Sequence, residues 1–268
     1  MKTFVLVCVL GISNLLAPSG IQKADAVLER MHTGLEKVYE HSYRLQLRER
    51  KLDRSFHQGQ MLIQVKNNPL KIRAEILGPK KGPLVEYNAA EDIHEATIIP
   101  KQWLPAVKIK SDIHGDILRK GHYAINETSL NYFDKIIKRL EHRFKQKGNY
   151  EAYVKNAGLV HTQGRSCFKI ELTDPQFHIR TYTVKTGENL LDISKRLLIH
   201  PFKIRELNPQ LDSYYELQAG RKIRIPSSYA KRCVIYIDNQ EFLPRRLEVY
   251  DESGMFEQYS FHDIHVKK

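Results

Sequence analysis

The sequence predicts an α+β protein: a curved antiparallel sheet forming an incomplete barrel, with helices packed on it and a small βααβ module inserted into it. Three observations carry this. Several short segments alternate apolar with charged residues, as half-buried strands do. Two segments, around 27–39 and 130–144, instead space their apolar residues as amphipathic helices do. Residues 181–226 read strand, helix, helix, strand, unlike the meander on either side.

The 268 residues are 41% hydrophobic and 28% charged, with 14 Tyr and 10 Phe, so a disordered polyelectrolyte is excluded and a real core is expected. The 11 Pro and 14 Gly follow no short period, which excludes collagen-like and Pro-rich chains.

At the N-terminus, Lys2 precedes an apolar run over 4–17, and Ala24-Asp25-Ala26 closes the segment. This is the order of a secretory leader, read as residues 1–26, and the run is short for a membrane span. An uncleaved anchor is the alternative. Cys8 lies inside the run without the small preceding residue of a lipoprotein acylation site, and leaves with the leader. The leader holds Lys2, Lys23 and Asp25, so its loss lowers the net charge of +12 by only one. An exported basic protein meets anionic envelope groups rather than nucleic acid, so no nucleic-acid partner is expected.

Val27, Leu28, Met31, Leu35, Val38 and Tyr39 then form one face of a first helix. From Tyr43 the period becomes two: Tyr43, Leu45 and Leu47 alternate with Arg44, Gln46 and Arg48. Met61, Ile63 and Val65 repeat the pattern, as do Leu70, Ile72, Ala74 and Ile76. Residues 88–125, broken by Pro100, Pro105, Gly115 and Gly121, yield no detailed reading. Leu130, Phe133, Ile136, Ile137, Leu140 and Phe144 mark a second helix, with Thr128 or Ser129 as its cap. Strands return around 159–161 and 167–172, and 234–266 read as a closing meander.

The mature chain keeps Cys167 and Cys233. If their segments pair as neighbours closing near 173 and 232, Cys167 faces Asp238 rather than Cys233. A disulfide needs Cα atoms within about 7 Å, so two buried thiols are expected ahead of a bridge. His262 and His265 fall on opposite faces of a strand, and His94-Glu95 lacks a second His at helical spacing, so no metal site is nominated. There is no Gly-x-Ser-x-Gly elbow, and neither cysteine has a protease context, so no catalytic residue and no cofactor are nominated.

The inserted segment carries a resemblance. Tyr182-Thr183-Val184-Lys185-Thr186-Gly187-Glu188-Asn189-Leu190-Leu191-Asp192-Ile193, then Ile204-Arg205-Glu206-Leu207-Asn208-Pro209, Leu211, and Leu217 through Pro226, resembles a LysM domain over its whole length. That resemblance implies a βααβ module binding N-acetylglucosamine-containing glycans, above all peptidoglycan. It implies a shallow groove between Gly187, Glu188, Asn189, Leu190 and Asn208, Pro209, Gln210, Leu211. Backbone amides and Asn208 would meet N-acetyl groups there, and Leu190 and Leu211 the sugar face. Two positions depart from the pattern: Leu191 replaces a bulky aromatic and Glu188 an Asp, the latter inside the ligand loop.

The host, read as 27–178 and 229–268 around a module at 179–228, is similar to exported domains related to the periplasmic lipoprotein carriers. The residues that carry this are the closing meander Tyr236-Ile237-Asp238, 243–251, Gly254, Tyr259 and 261–264. That similarity implies an apolar cavity and a lipid, lipoprotein or protein partner. The preferred reading is a non-catalytic, exported envelope protein. Two alternatives stay open: a peptidoglycan hydrolase whose active site lies in the host, and a basic surface-binding protein for which the module is a spacer.

Overall fold

A computed structural model describes residues 22–78, 82–100, 104, 106–115, 118 and 121–268. The apolar run of the leader lies outside these residues, and Ala24 to Ala26 form the first turn of a helix. In chain order the elements are α1 (Ala24–Glu36), β1 (Glu40–Arg50), β2 (Phe56–Lys66), β3 (Lys71–Leu77), β4 (Leu84–Asn88), β5 (Glu95–Ile99), β6 (Ile109–Asp112), α2 (Leu130–Gln146), α3 (Tyr150–Tyr153), β7 (Val154–Thr162) and β8 (Arg165–Thr173). They continue with β9 (Ile179–Thr183), α4 (Leu190–Leu197), α5 (Pro201–Leu207), β10 (Lys222–Pro226), β11 (Arg232–Asp238), β12 (Pro244–Asp251) and β13 (Gly254–Lys267).

Eleven strands form one antiparallel sheet in the order β6-β5-β4-β3-β2-β1-β13-β12-β11-β8-β7. The end strands β6 and β7 do not pair, so the sheet stays open. The strand alternation acts as expected: Tyr43, Leu45 and Leu47 are buried, as are Ile63 and Val65 across from them. That face is covered by α1 and α2, whose buried rows, Val27, Leu28, Met31, Leu35 and Leu130, Phe133, Ile137, Leu140, join the strands in one core. Burying each such side chain stabilises the fold by about 1.5–3 kcal/mol, more than any single cap or surface pair contributes.

Ser129, one of the two nominated caps, caps α2: its Oγ accepts the Tyr132 N–H at 3.1 Å. The unread stretch contains β5 and β6 at the far edge of the sheet. β8 and β11 pair with Arg232 opposite Thr173 and Asp238 opposite Cys167, the register that the strand ends implied. Cys233 instead faces Leu172, and both cysteines are buried free thiols.

The chain between β8 and β11 forms a separate two-stranded sheet, β10-β9, with α4 and α5 packed on it. Val184, Leu190, Ile193, Ile199, Ile204, Leu211, Ile223 and Ile225 give it a core of its own. Because β8 and β11 are adjacent, hydrogen-bonded strands, this βααβ unit grows from the tip of a hairpin and leaves the host register intact.

Candidate functional site

The loop from Gly187 to Asn189 leads from β9 into α4. Gly187 has φ +77°, a left-handed backbone that favours glycine, and a Cβ there meets open space. Asn189 is the N-cap of α4, accepting the Asp192 N–H at 2.9 Å, while Asp192 reaches back to the Asn189 N–H at 3.3 Å. Glu188 folds back on the loop: it accepts the Tyr182 hydroxyl at 2.7 Å, the Lys185 N–H at 2.9 Å and Arg196 Nη2 at 2.6 Å. The Tyr182 hydrogen bond leads in holding this carboxyl below its ordinary range, with Arg196 assisting. The departure from Asp thus buys reach: the longer side chain spans to the β9 tyrosine.

Beyond the second loop, the Tyr214 carbonyl accepts the Leu190 N–H at 2.9 Å, and Leu190 and Leu211 share the module core. The eight nominated residues differ in what they can offer. Leu190 is fully buried and Leu211 is 4% exposed, so both side chains belong to the module core and neither presents an apolar face to a sugar. Asn208 is also buried. Its Nδ2 donates to the Ile204 and Arg224 carbonyls at 2.7 Å each, and its Oδ1 accepts the Arg224 N–H at 2.9 Å, which ties α5 to β10. The amides of Glu188, Asn189 and Leu190 are engaged internally. Gly187, Pro209 and Gln210 remain exposed.

The module is seated on the host through α5, a contact that sequence reasoning missed. Arg50, at the end of β1, donates to Glu206 Oε1 at 2.6 Å and Oε2 at 3.0 Å, and also pairs with Asp251 of the host. Lys203 Nζ donates to Glu206 at 2.8 Å, Asp251 at 2.6 Å and Glu252 at 2.9 Å. Burial alone would raise the Asp251 and Glu206 carboxyls, but hydrogen bonds from Arg50 and Lys203 outweigh it and hold both below their ordinary values.

Beside this ion cluster, Phe202 enters the host core, its ring 4.2 Å from that of His122. His122 Nδ1 lies 2.6 Å from Glu257 Oε2, and His122 Nε2 lies 2.8 Å from the Arg50 carbonyl. His200, the N-cap of α5, brings Nε2 to 3.8 Å from the same Glu257 oxygen. Tyr123 and Tyr229 donate to Glu257 Oε1 at 2.7 and 3.0 Å. Burial works against the charge on Glu257, yet the hydrogen bond to His122 leads the effects that lower its carboxyl below the ordinary value.

His122, His200 and Glu257 place one ligand-type atom each within 4.8 Å of one another, the donor set of a divalent metal. Two features fit a hydrogen-bonded network better. The 2.6 Å His122–Glu257 contact is a direct hydrogen bond, and His200 Nδ1 accepts the Phe202 N–H at 3.1 Å, which puts the neutral ring's proton on the very nitrogen a metal would need.

Residues 182–226 match the family model of the LysM domain, which spans β9, α4, α5 and β10. None of the curated proteins compared matches the chain. Among solved structures, the chain is similar to the lipoprotein LppX of Mycobacterium tuberculosis, at 12% identity over 90% of this chain and 95% of that one, with a TM-score of 0.38. A LolA superfamily protein from Nitrosomonas europaea is similar at 11% identity over 92% and 94%, with a TM-score of 0.30. The MucA/MucB complex of Pseudomonas aeruginosa is similar at 12% identity over 91% of this chain and 57% of that chain, with a TM-score of 0.38. At these scores the likenesses carry no functional weight.

Proposed function

We propose that this protein is an exported, non-catalytic component of a bacterial cell envelope that binds N-acetylglucosamine-containing glycan, with peptidoglycan as its ligand, through the LysM module at 179–228. The host at 27–178 and 229–268 presents that module and binds a lipid, lipoprotein or protein partner of its own. The observation that carries the reading is the family match over residues 182–226, from the end of β9 through α4 and α5 to β10, rather than over an isolated motif. A leader-like N-terminus supports export. Among the described residues, no helix is long and apolar enough to cross a membrane.

In this reading the sugar lies across the exposed part of the nominated groove, against the Gly187 backbone, Pro209 and Gln210. Leu190, Asn208 and Leu211 hold the two loops in place from beneath. Glu188 and Asn189 set the shape of the first loop.

The test is co-sedimentation of the full chain with protein-free sacculi at low and moderate salt, beside Gly187→Asn. Asparagine adopts the left-handed backbone more readily than other side chains, and a side chain here projects into open space, so it obstructs a ligand at the cost of some backbone strain, with an unchanged circular dichroism spectrum as the check on the fold. The full chain is expected to pellet at both salts, since groove contacts are screened less than exposed charge pairs, and the variant to stay in the supernatant. Pelleting at low salt only would favour a surface held by scattered charge. Release of soluble fragments from the sacculi would overturn the non-catalytic reading.

A further inference from the structure

Tyr215 is among the large side chains that the fold leaves exposed, at 45%, while its neighbour Tyr214 is buried in the module core. Its position is fixed from two sides. Within the module, the Tyr214 carbonyl accepts the Leu190 N–H, so Tyr215 begins one peptide bond away from the amide of a nominated groove residue, at the start of α4. From the host, Asp112 at the end of β6 accepts the Tyr215 hydroxyl at 2.8 Å, and the His114 ring meets the Tyr215 ring edge-on, with 6.4 Å between centroids. Asp112 is itself held in place. Its Oδ1 also accepts the His114 N–H at 2.7 Å, which sets the turn that carries both host residues. β6 is an edge strand of the host sheet, so the host meets the module here through residues other than those of the buried Arg50 and Lys203 cluster.

We propose that Tyr215 is a sugar-contacting residue of the glycan groove, its ring stacking on the C–H face of a pyranose, and that the host fixes that ring through Asp112. The inference rests on the glycan-binding reading and deepens it by adding a contact residue and by making the host a part of the site. N-acetylglucosamine carries its ring substituents equatorially, so the faces of the ring present C–H groups and are matched by a flat, amphipathic aromatic side chain. The nominated residues supply no such surface: Leu190 and Leu211 are turned into the core, and none of the exposed Gly187, Pro209 and Gln210 is aromatic. Tyr215 supplies it beside the Leu190 amide. With its hydroxyl on Asp112, the ring keeps one orientation and loses little freedom when a ligand arrives. A side chain that only latched the module to the host would be covered by that contact, whereas nearly half of Tyr215 stays open to solvent.

The test measures, by calorimetry, binding of the full chain and its variants to soluble, sugar-only glycan strands prepared from sacculi. Tyr215→Ala is expected to weaken binding on the order of tenfold, the scale of losing one aromatic contact. The module core is kept, because Tyr214 rather than Tyr215 belongs to it. Tyr215→Phe keeps the ring and removes only the bond to Asp112, and is expected to weaken binding about threefold. Asp112→Ala is expected to match it. The double variant Tyr215→Phe, Asp112→Ala is expected to lose no more than either single one, because both substitutions break the same hydrogen bond. Affinity of Tyr215→Ala or Asp112→Ala equal to that of the wild type, or losses that add in the double variant, overturns this inference and leaves glycan binding standing. Failure of the wild-type chain to bind the strands overturns both.

Discussion

His32 shows how one side chain can join two helices. It projects from α1 between two carboxylates of α2, pairing with Asp134 through Nδ1 and reaching Glu141 Oε2 at 2.5 Å through Nε2. Burial favours the neutral ring, but the hydrogen bonds to Asp134 and Glu141 outweigh it and raise the pKa from 6.5 to about 9. A raised folded-state value means the charged pair contributes fully below pH 6.5 and is lost as pH rises through about 9. Wild type is therefore expected to lose about 2–3 kcal/mol between pH 6 and pH 10 in urea unfolding, and His32→Gln to lose much less. Parallel curves for the two proteins would mean that His32 is neutral in the fold. Nothing in the sequence pointed to His32, because its partners lie about a hundred residues away and carboxylates are common on exposed helix faces.

The elements whose spacing is regular were legible. The alternation in β1, β2 and β3 and the 3.6-residue period of α2 follow from which face each buries, a property carried by neighbouring residues. Ser129→Ala is expected to lower stability by about 1 kcal/mol, because the Tyr132 N–H loses its acceptor at the start of α2. Thr128→Ala tests the other nominated cap. Thr128 Oγ1 donates to the Ile125 carbonyl at the end of a 3-10 turn and does not cap α2, so thermal unfolding should separate the two substitutions by a larger effect for Ser129. The elements β5 and β6 were not legible: both are short, β6 at the sheet edge buries none of its residues, and exposed Ile93 and Ile109 blur the alternation. In β13 the buried Glu257 breaks the apolar pattern, and its acceptability depends on hydroxyls and histidines from three other segments.

For the whole molecule, the consequence is that the module is seated on the host rather than tethered to it. Removing 180–228 takes away Lys203 and Glu206 and leaves Arg50 and Asp251 to each other, while the host core loses Phe202. The milder substitution Lys203→Met is expected to destabilise the full chain by about 3–5 kcal/mol, since it leaves Asp251 and Glu206 buried with a single cation between them. Thermal unfolding of the full chain checks this. An unchanged midpoint would show that solvent reaches the cluster and that the module moves independently. The same seating explains why substitutions at the groove, rather than deletion of the module, test glycan binding without ambiguity.

Local spacing determined the helices α1 and α2, the alternating strands, the βααβ module at the tip of a hairpin, and the β8/β11 register that keeps Cys167 and Cys233 apart. The helices and strands depend on periodicity, a property of contiguous residues, and the register follows once the segments ending near 173 and beginning near 232 are taken as neighbours. Tertiary structure alone decided that Leu190, Asn208 and Leu211 turn inward, that His122, His200 and Glu257 meet, and that Tyr215 of the module reaches Asp112 of the host. The reason is physical: whether a polar side chain is a ligand group or a structural one depends on which donors, acceptors and charges surround it after folding, and in this chain those partners come from segments tens to more than a hundred residues apart.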